Sequence, residues 1–529
     1  MMIVNGRTGF RMTRADRVPV MTQTALLLIL LSGFCRGAEP IDIGSRRELF
    51  VDDHLVERMS GGARLRLHRP VETDDVFVHD TAWEGSRSMY HTVFRDGDRY
   101  RLYYRGSQID LSAGKYAIRY NVTCYAESRD GIHWKRPELG LVEFRGSKKN
   151  NIILSGEICH AFVPFKDTNP DCSPEHRYKA IVAIYKPTRG LHVYSSADGI
   201  RWSPMSDKPV ITTGYFDSMN LAFWDTVRRK YVGFHRALRG GPGMLKPPSH
   251  EASTKDVMTA TSSNFLKWSE PDWLEYSPER WTRFSTKTTR FSPFVQLYTN
   301  QVQAYHRAPH IYLGFPTRYV AGRSKLTGLN RRLSESVEYF GIDYTDGGFM
   351  ASRDGRRFKF WDEAFIRPGR PGRGRWVYGD NFQALGVVET KSGDPGGRSE
   401  LSMYVGEGLW RQCRLRRYTL RLDGFVSVQA PLSGGEIVTR PLKFSGNSLE
   451  LNVSTSAAGS VRVEIQDADG RSIEGFRLAD CREIFGDRLD AVVGWTAGQD
   501  VGRLAGRAVR LRFVVKDADL YAFRFVPGR

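Results

Sequence analysis

Cysteine is scarce in this chain: there are six in 529 residues, and the five beyond Cys35 (Cys124, Cys159, Cys172, Cys413 and Cys481) are odd in number and far apart. That excludes a disulfide framework and leaves no close pairs for a zinc site. Long hydrophobic runs are also lacking. The uncharged apolar stretch from Thr24 to Phe34 is too short to span a bilayer. No long segment keeps the 3.6-residue apolar period of an amphipathic helix, which excludes a helical bundle. Acidic charge is in deficit, with 59 Asp and Glu against 78 Lys and Arg and a net charge of +19, a balance that attracts polyanions.

What the chain has in quantity is Gly, 52 residues, together with 12% aromatics, a composition suited to many short strands and turns. One unit recurs. Ala126-Glu-Ser-Arg-Asp-Gly-Ile-His-Trp134 is echoed by Val193 to Trp202, Ala260 to Trp268 and Met350 to Phe358, with a weaker fifth form at Arg417 to Phe425. Each copy reads as a strand of small and apolar residues entering an Asp-Gly or Asn turn, followed by an aromatic that packs beneath it. The first three aromatics lie 68 and 66 residues apart, about the length of four short strands with their loops. A hairpin precedes each copy, as in Phe94 to Tyr104 and Phe223 to Phe234. Five turns and five hairpins predict an all-β chain built as a five-bladed β-propeller.

The ends read differently. Arg7, Arg11, Arg14 and Arg17, the apolar run and Cys35-Arg-Gly-Ala38 form a secretory signal over residues 1–38, so the protein is expected to be secreted or periplasmic, with no membrane association after cleavage. The propeller is expected over 39–424, with the strand in Arg47 to Val56 closing the ring or covering its last blade. From 425 to 529 short alternating strands such as Ser448 to Val453 and Val509 to Val514 predict a β-sandwich.

Topology selects the site candidates. The innermost strand of a blade starts at one face of the ring, and the second strand returns to it. Residues just before first strands and just after second strands therefore converge on one funnel. Asp217 and Glu84 are expected to share acid and base roles, followed by Asp380 and Glu407. Arg105, His160, Asn220, His235, Arg236, Arg318 and Asn381 are expected to bind substrate. Two insertions after second strands, Ala237 to Lys255 and Tyr319 to Glu338, would wall the same funnel. Facing carboxylates suit glycosidic bond cleavage, and paired arginines suit a carboxylate or sulfate. The expected partner is a carbohydrate, an anionic one being an open option, and not nucleic acid. No cofactor or metal-ligand set is expected, a structural cation in the channel being left open.

The turn form Ser-x-Asp-Gly-x-x-Trp, with Trp134 and Trp202 four residues after Asp130 and Asp198, resembles the turns of the five-bladed glycoside hydrolases of the invertase, levanase and arabinanase group. The layout of propeller then sandwich is similar to the invertase-like family 32. This resemblance implies a glycoside hydrolase with an Asp in blade one, an Asp in blade two and a Glu in blade three. The chain departs from it in lacking Trp-x-Asn-Asp-Pro and the Glu-Cys pair. Phe165-Lys-Asp167 mimics Arg-Asp-Pro at the far end of its strand, and Asp217 stands in place of the Glu. Two other readings remain open, a non-catalytic carbohydrate-binding propeller and a sialidase-like enzyme.

Overall fold

The computed structural model describes residues 39–112, 114–239, 254–277, 296–371, 375–393 and 396–527. The expected signal segment and residues 240–253 of the first insertion lie outside them. The described chain is nearly all β, with its sheets in a propeller-like arrangement.

Five sheets of four or more strands follow one another in chain order. Their innermost segments start with Met89–Asp96, Val163–Lys166, Leu221–Asp225, Gln303–Tyr305 and Phe382–Gln383. Residues on or next to all five, among them Val93, Phe165, Phe223, Ala304 and Leu385, line one apolar cavity of about 440 Å³. The outermost strand of the fifth sheet, Val71–Val78, comes from ahead of the first and pairs antiparallel with Arg414–Leu420. Ring closure is therefore by sheet hydrogen bonds between segments about 340 residues apart in sequence.

The repeated turn is what ends the third strand of four sheets. In each, a Ser hydroxyl accepts from the backbone N–H three residues on: Gly131 to Ser128 at 2.9 Å, Gly199 to Ser196 at 2.8 Å, Phe265 to Ser262 at 2.9 Å and Gly355 to Ser352 at 2.9 Å. The Asp or Asn two residues after that Ser accepts two further N–H groups, as Asp198 does from Ile200 and Arg201 at 2.8 Å each. The Ser also accepts from the N–H two residues on, as Ser196 does from Asp198 at 3.3 Å, so four otherwise orphan donors are satisfied by two short side chains. The residue after the Asp must be left-handed, which explains Gly131 and Gly199 at φ +78°. The third copy puts Phe265 there at φ +68°. Its fully buried ring packs 5.1 Å from Tyr231 and 5.6 Å from Trp268, a burial of about 2–3 kcal/mol that offsets a backbone cost of about 1–2 kcal/mol. The fifth form is not this turn. Asp423 instead accepts from Tyr305 Oη and Arg307 Nε, both at 2.8 Å, and pairs with Arg47 at 3.2 Å.

Of the two roles expected for Arg47 to Val56, ring closure falls to Val71–Val78 instead, whereas Leu49 and Val51 do pack against the last sheet, in one core with Met403, Val405 and Tyr418. Ile41–Gly44, Glu48–Leu49, Val56–Gly61 and Arg64–Leu67 join the C-terminal strands in a ten-stranded sheet. Its two longest strands, Ser448–Asp467 and Val509–Val526, pair with each other through register shifts that let the sheet wrap its own core of Leu451, Val463, Trp495, Phe513 and Phe523. A second core, with Phe315, Phe349 and Phe425, joins this sheet to the fourth and fifth sheets of the ring, Phe349 and Phe425 stacking at 5.6 Å. Buried Glu48 adds an ion pair to Arg353 at 2.7 Å and lies 3.1 Å from His310 Nε2.

Candidate active site

The loop ahead of Leu221–Asp225 is pinned from both sides. Phe216 and Met219 are buried in apolar clusters. The Asn220 amide donates to the carbonyls of Phe216 and Ser218, both at 3.0 Å, and Ser218 donates to the Tyr298 carbonyl of the next sheet at 2.6 Å. With its neighbours held inward, Asp217 is turned out, and 45% of its side chain is accessible. His160 Nε2, from the second sheet, lies 3.1 Å from Oδ1, and Arg236 Nη2 lies 3.3 Å from Oδ2. Burial works to raise the Asp217 carboxyl, but His160, Arg236 and Arg87 outweigh it and hold the group well below the usual carboxylate range.

Around this carboxylate every sheet contributes. Tyr90, at φ +60°, places its ring 4.7 Å under the Arg105 guanidinium. Arg105 donates to the carbonyls of His160 at 3.1 Å and Arg87 at 3.2 Å. Arg236 lies 4.8 Å over the Tyr298 ring, whose hydroxyl meets that of Tyr378 at 2.8 Å. Phe382 packs against Tyr90 and Tyr298 at 6.2 and 5.3 Å, completing an aromatic wall. Burial pushes Arg105 down to about 9, with Arg87 adding to it, and lowers His160 against the pull of Asp217.

Seven of the expected residues sit differently. Glu84 is fully buried and accepts from Tyr104, from Arg136 Nε and Nη2 at 2.9 Å each, and from the N–H groups of Asp80 and Thr81. It is sealed by protein donors rather than open to a substrate. Asp380 is 1% exposed and accepts from Leu409 N at 2.8 Å; burial drives its carboxyl far above the ordinary value. Glu407 pairs with Arg375 and Arg416 at 3.1 and 3.0 Å. Arg318 forks onto Asp346 at 2.6 and 2.7 Å. Asn220 and Asn381 are fully buried loop braces, the latter donating to the carbonyls of Thr345 and Arg375. His235 bonds the Thr213 carbonyl at 3.0 Å and is lowered by burial to about 4.

Two residues that sequence reasoning passed over also face this region electrostatically. Asp343, just ahead of Tyr344–Ser352, accepts from Tyr319 Oη and from Gly322 N at 2.9 Å, and burial raises it to about 6. Lys255, at the start of Thr254–Ser262, lies 4.2 Å over the Tyr319 ring; burial lowers it to about 7, with Arg236 adding to the shift and Asp343 and Asp217 opposing it. The signal for both was available: an antiparallel third strand starts at the face where the second ends. Of the second insertion, Gly328–Ser336 forms a helix capped by Thr327, which accepts from Asn330 N. Among the described residues no group of three or more His, Cys, Asp or Glu side chains is placed to hold a metal ion.

No protein-family model matches the sequence, and no curated protein matches it. Among solved structures, the chain is similar to a glycoside hydrolase at 14% identity, covering 66% of this chain and 92% of that one with a TM-score of 0.41. An endo-arabinase from Bacteroides thetaiotaomicron gives 10% identity, 67% and 97% coverage and a TM-score of 0.37. An N-acetylgalactosamine deacetylase from F. plautii gives 11% identity, 68% and 96% coverage and a TM-score of 0.42.

Proposed function

We propose that this chain is an exported glycoside hydrolase acting on a polysaccharide or oligosaccharide at the mouth of a five-bladed propeller. The observation that carries the reading is Asp217: an ionised carboxylate with nearly half its side chain open, oriented by His160 and Arg236 and faced by tyrosine rings. Such a carboxylate can stabilise an oxocarbenium-like transition state, and aromatic faces stack on the C–H surfaces of a pyranose. The five sheets with innermost segments around one cavity support the blade number, and a six-bladed sialidase-like arrangement has no sixth sheet among the described residues of the ring.

The second role, delivery of a proton to the leaving oxygen, needs a group that titrates near neutrality. Asp343 at about 6 and Lys255 at about 7 meet that need, and each acts on the charge of the other. Lys255, the partly exposed member, with Nζ 3.4 Å from Gln296 Oε1, is assigned as the donor, with Asp343 setting its charge. This replaces Glu84 as the partner of Asp217. The test is release of reducing ends from a polysaccharide panel by the wild-type chain and by Asp217→Asn. Turnover by the wild type and none by the variant supports the proposal. Glycan binding without cleavage by either protein would make the chain a binding module instead.

A further inference from the structure

Among the described residues, most arginines with largely buried side chains pair with carboxylates. Arg136 forks onto Glu84, Arg353 bridges Glu48 and Asp52, Arg375 bonds Glu72 and Glu407, and Arg417 bonds Glu400. The guanidiniums near Asp217 are less completely partnered. Arg105 is 2% exposed and has only backbone carbonyls as acceptors, and its Nε has no partner. Arg236, also 2% exposed, gives Nη2 to Asp217, while its Nε and Nη1 have none. Nη1 of Arg87 is likewise buried and unpartnered.

A buried donor left unmade costs about 1–3 kcal/mol, and more when it belongs to a charged group. Of the three, only Arg236 contacts Asp217, and Arg87 and Arg105 act on it through charge alone, so positive charge is left over in low-dielectric surroundings. A fold keeps such an arrangement where a ligand completes it. We propose that Arg87, Arg105 and Arg236 form a subsite for one oxyanion group beside Asp217, the group being the carboxylate of a uronic acid residue of the glycan or a free inorganic oxyanion. The planar fork of Arg105 matches a carboxylate, and the Tyr90 ring beneath that fork fixes its plane. Asp217 repels the same anion, so the group sits on the Arg105 side. This inference rests on the reading of the mouth as a sugar site and names the sugar it takes.

Binding is measured calorimetrically on the full-length chain with an oligogalacturonide, its methyl ester and inorganic phosphate, for the wild type, Arg105→Met, Arg105→Lys and Asp217→Asn. The acid is expected to bind at least 10-fold more tightly than its ester and to weaken with added salt. Arg105→Met should erase that preference, and Arg105→Lys should retain part of it. Asp217→Asn should tighten acid binding, because the competing carboxylate is gone; this outcome needs no turnover and so separates the subsite from the catalytic reading. If phosphate alone binds and Arg105→Met abolishes it while acid and ester remain equal, the oxyanion is the free one. Equal binding of acid, ester and phosphate by wild type and Arg105→Met overturns the subsite. Unfolding curves identify any variant that fails to fold, and Arg105→Lys then decides.

Discussion

Asp217 and Glu84 differ in one respect that matters. Each stands ahead of an innermost strand, each is held below its ordinary pKa, and each has an arginine and a histidine close by. Glu84 receives donors from Tyr104, Arg136, Asp80 and Thr81 and has no exposed surface. Asp217 has two neighbours and an open side. A carboxylate saturated by its own protein stabilises the fold, whereas one with accessible lone pairs is free to act on a ligand. The number of donors and the open surface, not the shifted pKa, separate the two.

The largest effect expected from breaking this comparison is on turnover. Asp217→Asn should lower kcat by about 10³-fold or more, roughly 4 kcal/mol in the barrier, and should also cost stability at neutral pH, because Arg236 loses its carboxylate partner. Glu84→Gln should differ in sparing turnover. It takes away the buried counter-charge of Arg136 and leaves only Asp80 at 3.5 Å, at roughly 3 kcal/mol of stability, while turnover of the remaining folded protein stays near wild type. Because Glu84 is held below its unfolded pKa, that advantage of the wild type is present above about pH 4.3 and shrinks as pH falls. Denaturant titrations at pH 7 and pH 3 check it; equal losses at both pH values would mean packing, not charge, is responsible.

Asp343 is a third kind of carboxylate, sealed like Glu84 but with only Tyr319 and Gly322 as donors. Burial then wins and raises it to about 6. The stability linked to its proton is fully present below the unfolded value of about 3.9 and is lost as pH rises through about 6. Asp343→Asn should therefore match the wild type at pH 4 and exceed it at pH 8 by roughly 2–3 kcal/mol, while the pH profile of turnover moves because Lys255 loses a neighbouring charge. An identical stability gain at both pH values would remove ionisation as the cause.

The repeating turns made the order of sheets legible, since a Ser and an Asp two residues apart specify the same four backbone bonds wherever they occur. The place of Asp217 was legible from topology, since it stands directly before an innermost strand. Asn220, His235, Arg318 and Asn381 were not, because their partners lie in other elements and a side chain that braces a loop reads like one that meets a ligand. The pairing of Val56–Gly61 with Gly435–Thr439 was beyond reach, both segments being plain alternating strands nearly 380 residues apart.

The smallest expected effect sharpens the same rule. The third turn carries Asn264 where its counterparts have Asp130, Asp198 and Asp354. Its Oδ1 accepts from Leu266 N and Lys267 N at 3.1 and 2.9 Å, against 2.8 Å for both bonds of Asp354. At Asp198 and Asp354 burial works to raise the carboxyl, and the backbone N–H groups outweigh it and lower the pKa. Asn264→Asp converts two neutral hydrogen bonds into charge-assisted ones and should add about 0.5–1 kcal/mol at pH 7. The gain is present above the unfolded pKa of about 3.9 and lost as pH falls below it, with turnover unchanged throughout. Calorimetric unfolding at pH 7 and pH 3 measures this directly: a loss at pH 7 would mean that two backbone donors do not outweigh burial of a carboxylate here, and the rule separating Glu84 from Asp217 would need more than a count of donors.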